Sequence, residues 1–359
     1  MPLHRITTTE DLHRYLRAAL QLEHATIPPY LTALYSMHPN TNLDAFHIIR
    51  VVAVEEMLHL TLAANVLNAV GGTPDLTAPD FVPTYPAFLP DGEDDFQVDR
   101  ERFSKKAVDT FLKIERPGVA PDEESRIKHR EGASRSLLAA PEDDSMHFYS
   151  IGEFYEEIRR GLVHLQAEKA KAGEELFSGD PARQVTPEYY YSGGGEIIPV
   201  TDLESAVAAL RLIGEQGEGL GGAIFDNEGE LAHYYRFKQL LHGRYYQEGD
   251  GPDDPTGPPL VVDWDAVYPV KTNASLEDYR EAPGLYAAAV EFNRQYASFL
   301  SLLTDAYTGR PELLIDAVVE MFRLRDGMTS LIRNPLPGAD GLTAGPTFEV
   351  AAVSAIGSA

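Results

Sequence analysis

A carboxylate and an imidazole lie three residues apart within a largely apolar stretch of this 359-residue chain. They are Glu56 and His59, inside a segment from about residue 44 to residue 70 that Gly71 and Gly72 close. Apolar residues recur every three or four positions around them, so both side chains share the helix face that should be buried. Burying an unpaired carboxylate is costly, and in helical bundles its partner is often a metal ion. The pair therefore predicts a metal site.

A second carboxylate, Glu23, lies on the buried stripe of the preceding predicted helix. The link between the two helices, at residues 38–43, is short and predicts antiparallel neighbours. Glu23 and Glu56 are almost equally far from the middle of this link, so the two carboxylates are expected to lie level across the hairpin. Pro28 and Pro29 are expected to kink or interrupt the first helix, because proline lacks an N–H and clashes with the preceding turn.

The third strongly periodic segment, from about residue 145 to residue 172, carries three neighbouring acidic residues. They are Glu153, Glu156 and Glu157, and none of them lies at the centre of the apolar stripe. Glu157 is nearest the edge of that stripe, while the other two lie further round the helix. Periodicity alone therefore slightly favours Glu157 as the carboxylate that reaches the core.

The fourth predicted helix opens with a capping box at residues 201–204. Glu218 continues its apolar stripe, whereas Glu215 lies further round. Beyond it, Glu230 and His233 repeat the Glu-x-x-His spacing. Dimetal carboxylate bundles take one glutamate from each of two helices and Glu-x-x-His from each of the other two. The chain therefore offers the residue types that such a site needs.

The composition excludes several classes of protein. Thirty Lys and Arg against 56 Asp and Glu give a formal charge of −26, which argues against nucleic acid or an anionic membrane as partner because both need a basic patch. The absence of cysteine excludes disulfides, thiolate metal ligands and cysteine nucleophiles. The N-terminus lacks the apolar run of a signal peptide, and no stretch is apolar enough to span a membrane. We therefore expect a cytoplasmic protein.

Several short stretches point to a known family. With them in view, the sequence resembles the ferritin-like proteins of the iminophenylpyruvate dimer synthase domain family, over roughly residues 1–240 and again at residues 344–349. The matching stretches are LEHATIPPYL at 22–31, EEMLH at 55–59, NVLNAVGG at 65–72, IGEFY at 151–155, EQGEG at 215–219 and HYYRF at 233–237.

The resemblance implies a carboxylate-bridged dimetal site. It favours Glu153 in the third helix, where Glu157 is the alternative. In the last helical element it favours Glu218, with Glu215 or Glu230 as alternatives. The metal ligands that it implies are Glu23, Glu56, His59, Glu153, Glu218 and His233.

The expected fold is all-α, a ferritin-like four-helix bundle with additional C-terminal helices and long loops. Residues 1–245 are expected to form the dimetal-carboxylate domain, and residues 246–359 a helical extension packed on the same core. The long connections at 73–144 and 173–200 are expected to form a pocket that a storage protein does not need.

Oxygen-rich ligation with imidazole and no sulfur suits iron or manganese, so two Fe or Mn ions per chain are the expected cofactors. The resemblance implies an oxidase or oxygenase that uses O2 on a small amino-acid-derived amine or imine in secondary metabolism. The alternative is a non-catalytic metal-binding protein or a ferroxidase-type iron-handling protein. The expected partners are a small-molecule substrate and O2. A second copy of the chain, in a homodimer, and a second enzyme of the pathway are further candidate partners. No residue is assigned a catalytic role.

Overall fold

The computed structural model describes residues 6–90, 96–118, 148, 150–191, 193–219, 223–226 and 229–350. Regular structure within these residues consists of α-helices and short 3₁₀ turns, with β-structure confined to isolated bridges. The all-α prediction is therefore confirmed. The α-helices in chain order are α1 (Thr9–Ser36), α2 (Leu43–Ala69), α3 (Lys105–Ile114), α4 (Ile151–Ala172), α5 (Leu203–Gly217), α6 (His233–His242), α7 (Pro283–Tyr307) and α8 (Leu313–Ile332).

Four of these helices close into a bundle. Helix α1 packs against α2 and α4, and α5 packs against the same two helices. Apolar residues are buried on most sides of α2, as expected for a helix that its neighbours surround. Among the described residues, every helix is too short or too polar to span a lipid bilayer.

Helix α1 continues through Pro28 and Pro29, so the expected interruption does not occur. Pro29 has no N–H for the carbonyl of Ala25, four residues earlier. The Tyr85 hydroxyl donates to that carbonyl at 2.7 Å. Because another part of the chain replaces the missing hydrogen bond, α1 remains helical on both sides of Glu23 and across the prolines.

The C-terminal helices α7 and α8 pack against each other, and they also contact α2 and α1, respectively. Buried side chains of all four helices belong to one hydrophobic core; Leu16 of α1 and Phe299 of α7 are examples. The described part of the C-terminal extension therefore shares its core with the bundle. The domain boundary between residues 245 and 246 stays a prediction.

Two short helices, α3 and α6, pack against each other, and α6 also contacts α2 and α5. Ser104 begins α3, since its hydroxyl accepts the N–H of Ala107 at 3.1 Å. Phe111 of α3, Phe237 of α6 and Tyr30 of α1 form an aromatic cluster with ring centroids 4.7 to 5.3 Å apart. This cluster fixes the end of α3 and the start of α6 against the long helices.

Candidate metal centre

The first group of metal-capable side chains comes from the α1–α2 hairpin. Glu23, Glu56 and His59 are all buried, and one ligand atom of each lies within 4.8 Å of the others. The Nδ1 atom of His59 is 3.3 Å from Oε2 of Glu23 and 3.9 Å from Oε1 of Glu56. The two carboxylates therefore face one imidazole nitrogen across the hairpin.

The second group shares Glu56 with the first. It adds Glu115, directly after α3, and His233, the first residue of α6, and all three side chains are buried. The Nδ1 atom of His233 is 3.0 Å from Oε1 of Glu56 and 3.5 Å from Oε2 of Glu115. The rings of His59 and His233 are stacked with centroids 5.4 Å apart. The two groups are thus adjacent, with Glu56 between them.

Each imidazole has a polar partner on its other nitrogen. Nε2 of His59 lies 3.0 Å from Oε1 of Gln216, whose amide donates to the Gly194 carbonyl at 2.9 Å. Nε2 of His233 lies 2.9 Å from Oε2 of Glu55. Metal-binding histidines usually have such a partner, which sets the tautomer and the ring orientation. Both rings therefore direct Nδ1 toward the carboxylates.

The carboxylates are also held by neighbours. The Tyr155 hydroxyl donates to Glu23, and the Tyr30 hydroxyl donates to Oε1 of Glu115 at 2.5 Å. Thr26 donates to Oε2 of Glu56 at 2.9 Å. Burial, together with the charge of the Glu23 carboxylate, raises the pKa of Tyr155 well above its ordinary value, so this hydroxyl remains a donor.

Without a cation, the centre holds protons unusually tightly. Burial and then the charge of Glu115 raise the pKa of Glu56. Burial lowers the pKa of His59, but the carboxylates of Glu23 and Glu56 together outweigh burial and raise it above its ordinary value. Burial also lowers the pKa of His233, but Glu115, Glu55 and Glu56 together outweigh burial and raise it well above its ordinary value. Cation binding must therefore displace protons.

These residues fit a pair of metal ions. Nδ1 of His233 is buried and makes no hydrogen bond among the described residues, although oxygens of Glu56 and Glu115 lie close to it. Three carboxylates in a buried core repel one another unless protons or cations neutralise them. Three carboxylates and two imidazoles, without sulfur, are the donors expected for iron or manganese.

The chain matches a known protein family over most of its length. The model of the ferritin-like family matches residues 16–242, a range that contains most of α1, all of α2, α4 and α5, and both groups of side chains. The chain belongs to the ferritin-like family. The ferritin-like bundle therefore supplies Glu23, Glu56 and His59 from its long helices, and the short helices α3 and α6 add the second group.

Two known proteins resemble this ferritin-like chain over most of its length. It is 28% identical over 329 residues to dichlorochromopyrrolate synthase of Lentzea aerocolonigenes, a match that covers 83% of this chain and 29% of that protein. The chain therefore spans less than a third of that relative. The crystal structure of a ferritin-like protein from Caulobacter vibrioides matches with a TM-score of 0.56 and 22% identity, over 95% of this chain and 99% of the other. This second likeness concerns the fold.

Glu218, which the family resemblance favours as a ligand, belongs to neither group. It is buried at the end of α5, where its carboxylate accepts the N–H of Gly152 at 2.5 Å, the N–H of Gly118 at 2.8 Å and the Ser150 hydroxyl at 3.3 Å. A Cβ at Gly152 would lie only 2.3 Å from the Glu218 carboxylate, so this cradle requires glycine. Here Glu218 joins the first turn of α4 to the segment after α3.

Glu153, the predicted ligand from α4, also lies outside both groups. It is in the first turn of the helix, its side chain is partly exposed, and its N–H donates to the Ser150 hydroxyl at 3.1 Å. The alternative, Glu157, is buried and accepts the N–H of Ile6 at 3.4 Å. The assignment of a metal ligand to α4 stays a prediction.

The other two alternatives form ion pairs with arginines. Glu215, whose side chain is 14% exposed, lies 2.5 Å from Arg211 on α5. Glu230 precedes α6 instead of lying on it, and its side chain is 67% exposed and lies 3.1 Å from Arg236. The Glu-x-x-His spacing that ends at His233 is therefore not helical, and Glu230 and His233 do not share a helix face.

Glu115 is not among the ligands expected from the sequence. It lies in the connection at 73–144, which is expected to form a pocket, and it directly follows α3. A signal was available, because Val108, Phe111 and Glu115 are separated by three and four positions and therefore share one face. Both apolar members of that face are buried. Glu115, like Glu23, is a carboxylate on a buried apolar stripe, and this pattern is the sequence signal for it.

Proposed function

We propose that this protein is a dimetal oxidase or oxygenase that uses O2 to oxidise a small amino-acid-derived amine or imine. The observation that carries the proposal is the pair of buried side-chain groups with Glu56 in common. One shared carboxylate between two sets of ligands is what a carboxylate-bridged pair of ions requires. The residues that would hold the ions are Glu23, Glu56, His59, Glu115 and His233.

Two reduced iron or manganese ions would supply the electrons that O2 needs to oxidise an organic substrate. The chain would position the ligands of these ions and shield the ions from bulk water. Tyr155 and Tyr30 hold the outer carboxylates by hydrogen bonds, and Thr26 holds the shared one. All five proposed ligands are buried, so the protein keeps bulk water away from the centre.

The class of activity rests on the comparison with a biosynthetic enzyme. Similarity to dichlorochromopyrrolate synthase over 83% of this chain supports a synthetic enzyme more than an iron-handling protein. Because this chain spans 29% of that relative, the substrate of the relative is not assigned to this chain.

The test combines metal analysis with O2 uptake. The protein is loaded with Fe(II) without air, freed of excess metal and analysed for iron per chain. O2 uptake is then followed with a panel of amines, α-amino acids and imines formed in solution from α-keto acids and ammonia. We expect about two ions per chain and uptake that depends on an organic substrate, both lost in Glu56→Ala. Bound iron that consumes O2 without any organic substrate would indicate a ferroxidase. Less than one ion per chain would contradict the dimetal centre itself.

A further inference from the structure

A cavity lies between the bundle and the C-terminal helices, with walls from α1, α2, α7, α8 and the loop that contains Tyr190 and Tyr191. Its empty volume is about 770 Å³, including the open mouth. Half-buried Leu31, Met57 and Met321 are among the residues that line it, so the cavity reaches the surface. Sites for small molecules typically have mostly apolar walls.

This cavity is separate from the metal centre. None of the five proposed metal ligands lines it. On α2 its lining residues are Met57, Leu60 and Thr61, each one or two positions after Glu56 or His59. Successive residues are turned by about 100° around a helix, so α2 presents its ligands and this cavity on different faces.

The walls are aromatic, apolar and nearly free of charge. Among the described residues that line the cavity there is no Asp or Glu, in a chain whose formal charge is −26. Arg325, the one Lys or Arg among these residues, is exposed and lies 3.2 Å from Asp326. A charged ligand would lose its hydration here without gaining an available partner of opposite charge. The cavity therefore favours an uncharged molecule.

Most polar groups in the lining already have partners. The Tyr296 hydroxyl is 2.6 Å from Nε2 of His24, and the Tyr307 hydroxyl is 2.9 Å from the Thr61 hydroxyl. Two lining atoms are different: the Tyr191 hydroxyl and Nδ1 of His24 are buried and have no hydrogen-bond partner among the described residues. Leaving such a group unpaired costs free energy, which a ligand with a hydroxyl or carbonyl would recover.

We propose that this cavity binds an uncharged aromatic molecule, with the Tyr191 hydroxyl as its hydrogen-bond partner. Aromatic side chains such as Tyr296 and Phe299 provide ring contacts for such a ligand. Met57, Met321 and Met328 can adapt to its outline because unbranched thioether chains repack easily. The site is independent of the proposed function.

Two neighbouring residues of α8 give a matched test. Val318 lines the cavity, whereas Val319 is 51% exposed on the outer side of the helix. The probe is 2-naphthol, followed by its fluorescence and by calorimetry. We expect saturable binding with one site per chain, weakened at least about tenfold by Val318→Phe because the new ring occupies the ligand's space. Val319→Phe should leave the affinity within about twofold.

The hydrogen bond is tested by Tyr191→Phe, which keeps the ring. This change should weaken 2-naphthol binding by up to about tenfold and leave naphthalene binding unchanged. If 2-naphthoate binds more tightly than 2-naphthol, the preference for an uncharged ligand is wrong. If 2-naphthol does not saturate the wild type, or binds Val318→Phe equally well, the cavity is not its site.

Two controls keep the result interpretable. Met321→Phe fills the half-buried mouth and replaces Val318→Phe if circular dichroism shows that the latter does not fold. Binding of 2-naphthol should also persist in metal-free Glu56→Ala, because Glu56 does not line the cavity. A wild type that binds 2-naphthol but no metal would contradict the dimetal proposal alone. A wild type that binds metal but no 2-naphthol would contradict this proposal alone.

Discussion

The two metal-capable groups share Glu56 but are built from different parts of the chain. Glu23, Glu56 and His59 lie in the middle of two long helices joined by a short link. Glu115 and His233 lie at the ends of two short helices, far apart in sequence. The first group depends on local helical spacing, whereas the second depends on how α3 and α6 are docked.

The outer partners of the two imidazoles differ as well. His59 faces the neutral amide of Gln216, and His233 faces the carboxylate of Glu55, which also lies 3.5 Å from Arg236. A carboxylate partner makes a metal-binding imidazole more basic than an amide does. The two ion positions should therefore be unequal, with tighter binding at the position that includes His233.

The largest expected effect is at the shared residue. Glu56→Ala should reduce bound Fe(II) or Mn(II) from about two ions per chain to well below one, because both groups lose a ligand. Elemental analysis after metal loading measures this. Glu230→Ala, which removes an exposed carboxylate, is the control and should retain both ions. Retention of one tightly bound ion in Glu56→Ala would mean that the groups do not depend on a common carboxylate.

The next test separates the groups. Glu23→Ala should remove the ion of the first group and Glu115→Ala the ion of the second, so each variant should keep about one ion. The Mn(II) paramagnetic resonance spectrum should change from that of a coupled pair to that of a single ion. Two ions in Glu115→Ala would remove this residue from the proposed ligands.

A smaller effect is expected at the partner of His233. Glu55→Gln should weaken binding at the second position by roughly 10–100-fold, as loss of an outer carboxylate usually does. Calorimetric titration with Mn(II) should then give two affinities that are closer to each other than in the wild type. Glu230→Gln is again the control, since Glu230 also pairs with Arg236 but is exposed. If Glu55→Gln leaves both affinities unchanged, the inequality of the two positions has another origin.

A further prediction, outside the two metal-capable groups, concerns Glu218 and is a dependence of stability on pH. Burial raises the pKa of Glu218 from its ordinary value of 4.5 to about 7, although three hydrogen bonds oppose the rise. The folded state therefore holds the proton more tightly than the unfolded state, and stability is lost as pH rises from about 4.5 to about 7. Glu218→Gln should remove up to about 3 kcal/mol of this loss.

The measurement is urea unfolding of metal-free protein at pH 5 and pH 8. Relative to the wild type, Glu218→Gln should have a higher free energy of unfolding at pH 8 than at pH 5. Glu204→Gln, at an exposed position on the same helix, should show no such shift. A pH-independent difference would contradict the raised pKa. Loss of an ion from metal-loaded Glu218→Gln would instead support Glu218 as a ligand, as the family resemblance implies.

The sequence contained enough information for the bundle and for the first group. The periodicity of α1 and α2 places Glu23, Glu56 and His59 on buried faces, and the short link makes the two helices neighbours. These relations are local, because helical geometry and one tight connection determine them. The prediction that Pro28 and Pro29 interrupt α1 was wrong. The Tyr85 hydroxyl, far along the chain, donates to the Ala25 carbonyl, which Pro29 cannot pair.

Only the tertiary structure decided the second group. Glu115 and His233 are 118 positions apart in sequence, and no repeating pattern connects the end of α3 with the start of α6. They meet at Glu56 because Tyr30, Phe111 and Phe237 pack the two short helices together against α1. Helical period alone assigns a residue to a face of its own helix. Which distant side chain completes a site depends on how helices dock, and docking is set by packing between residues far apart in the chain.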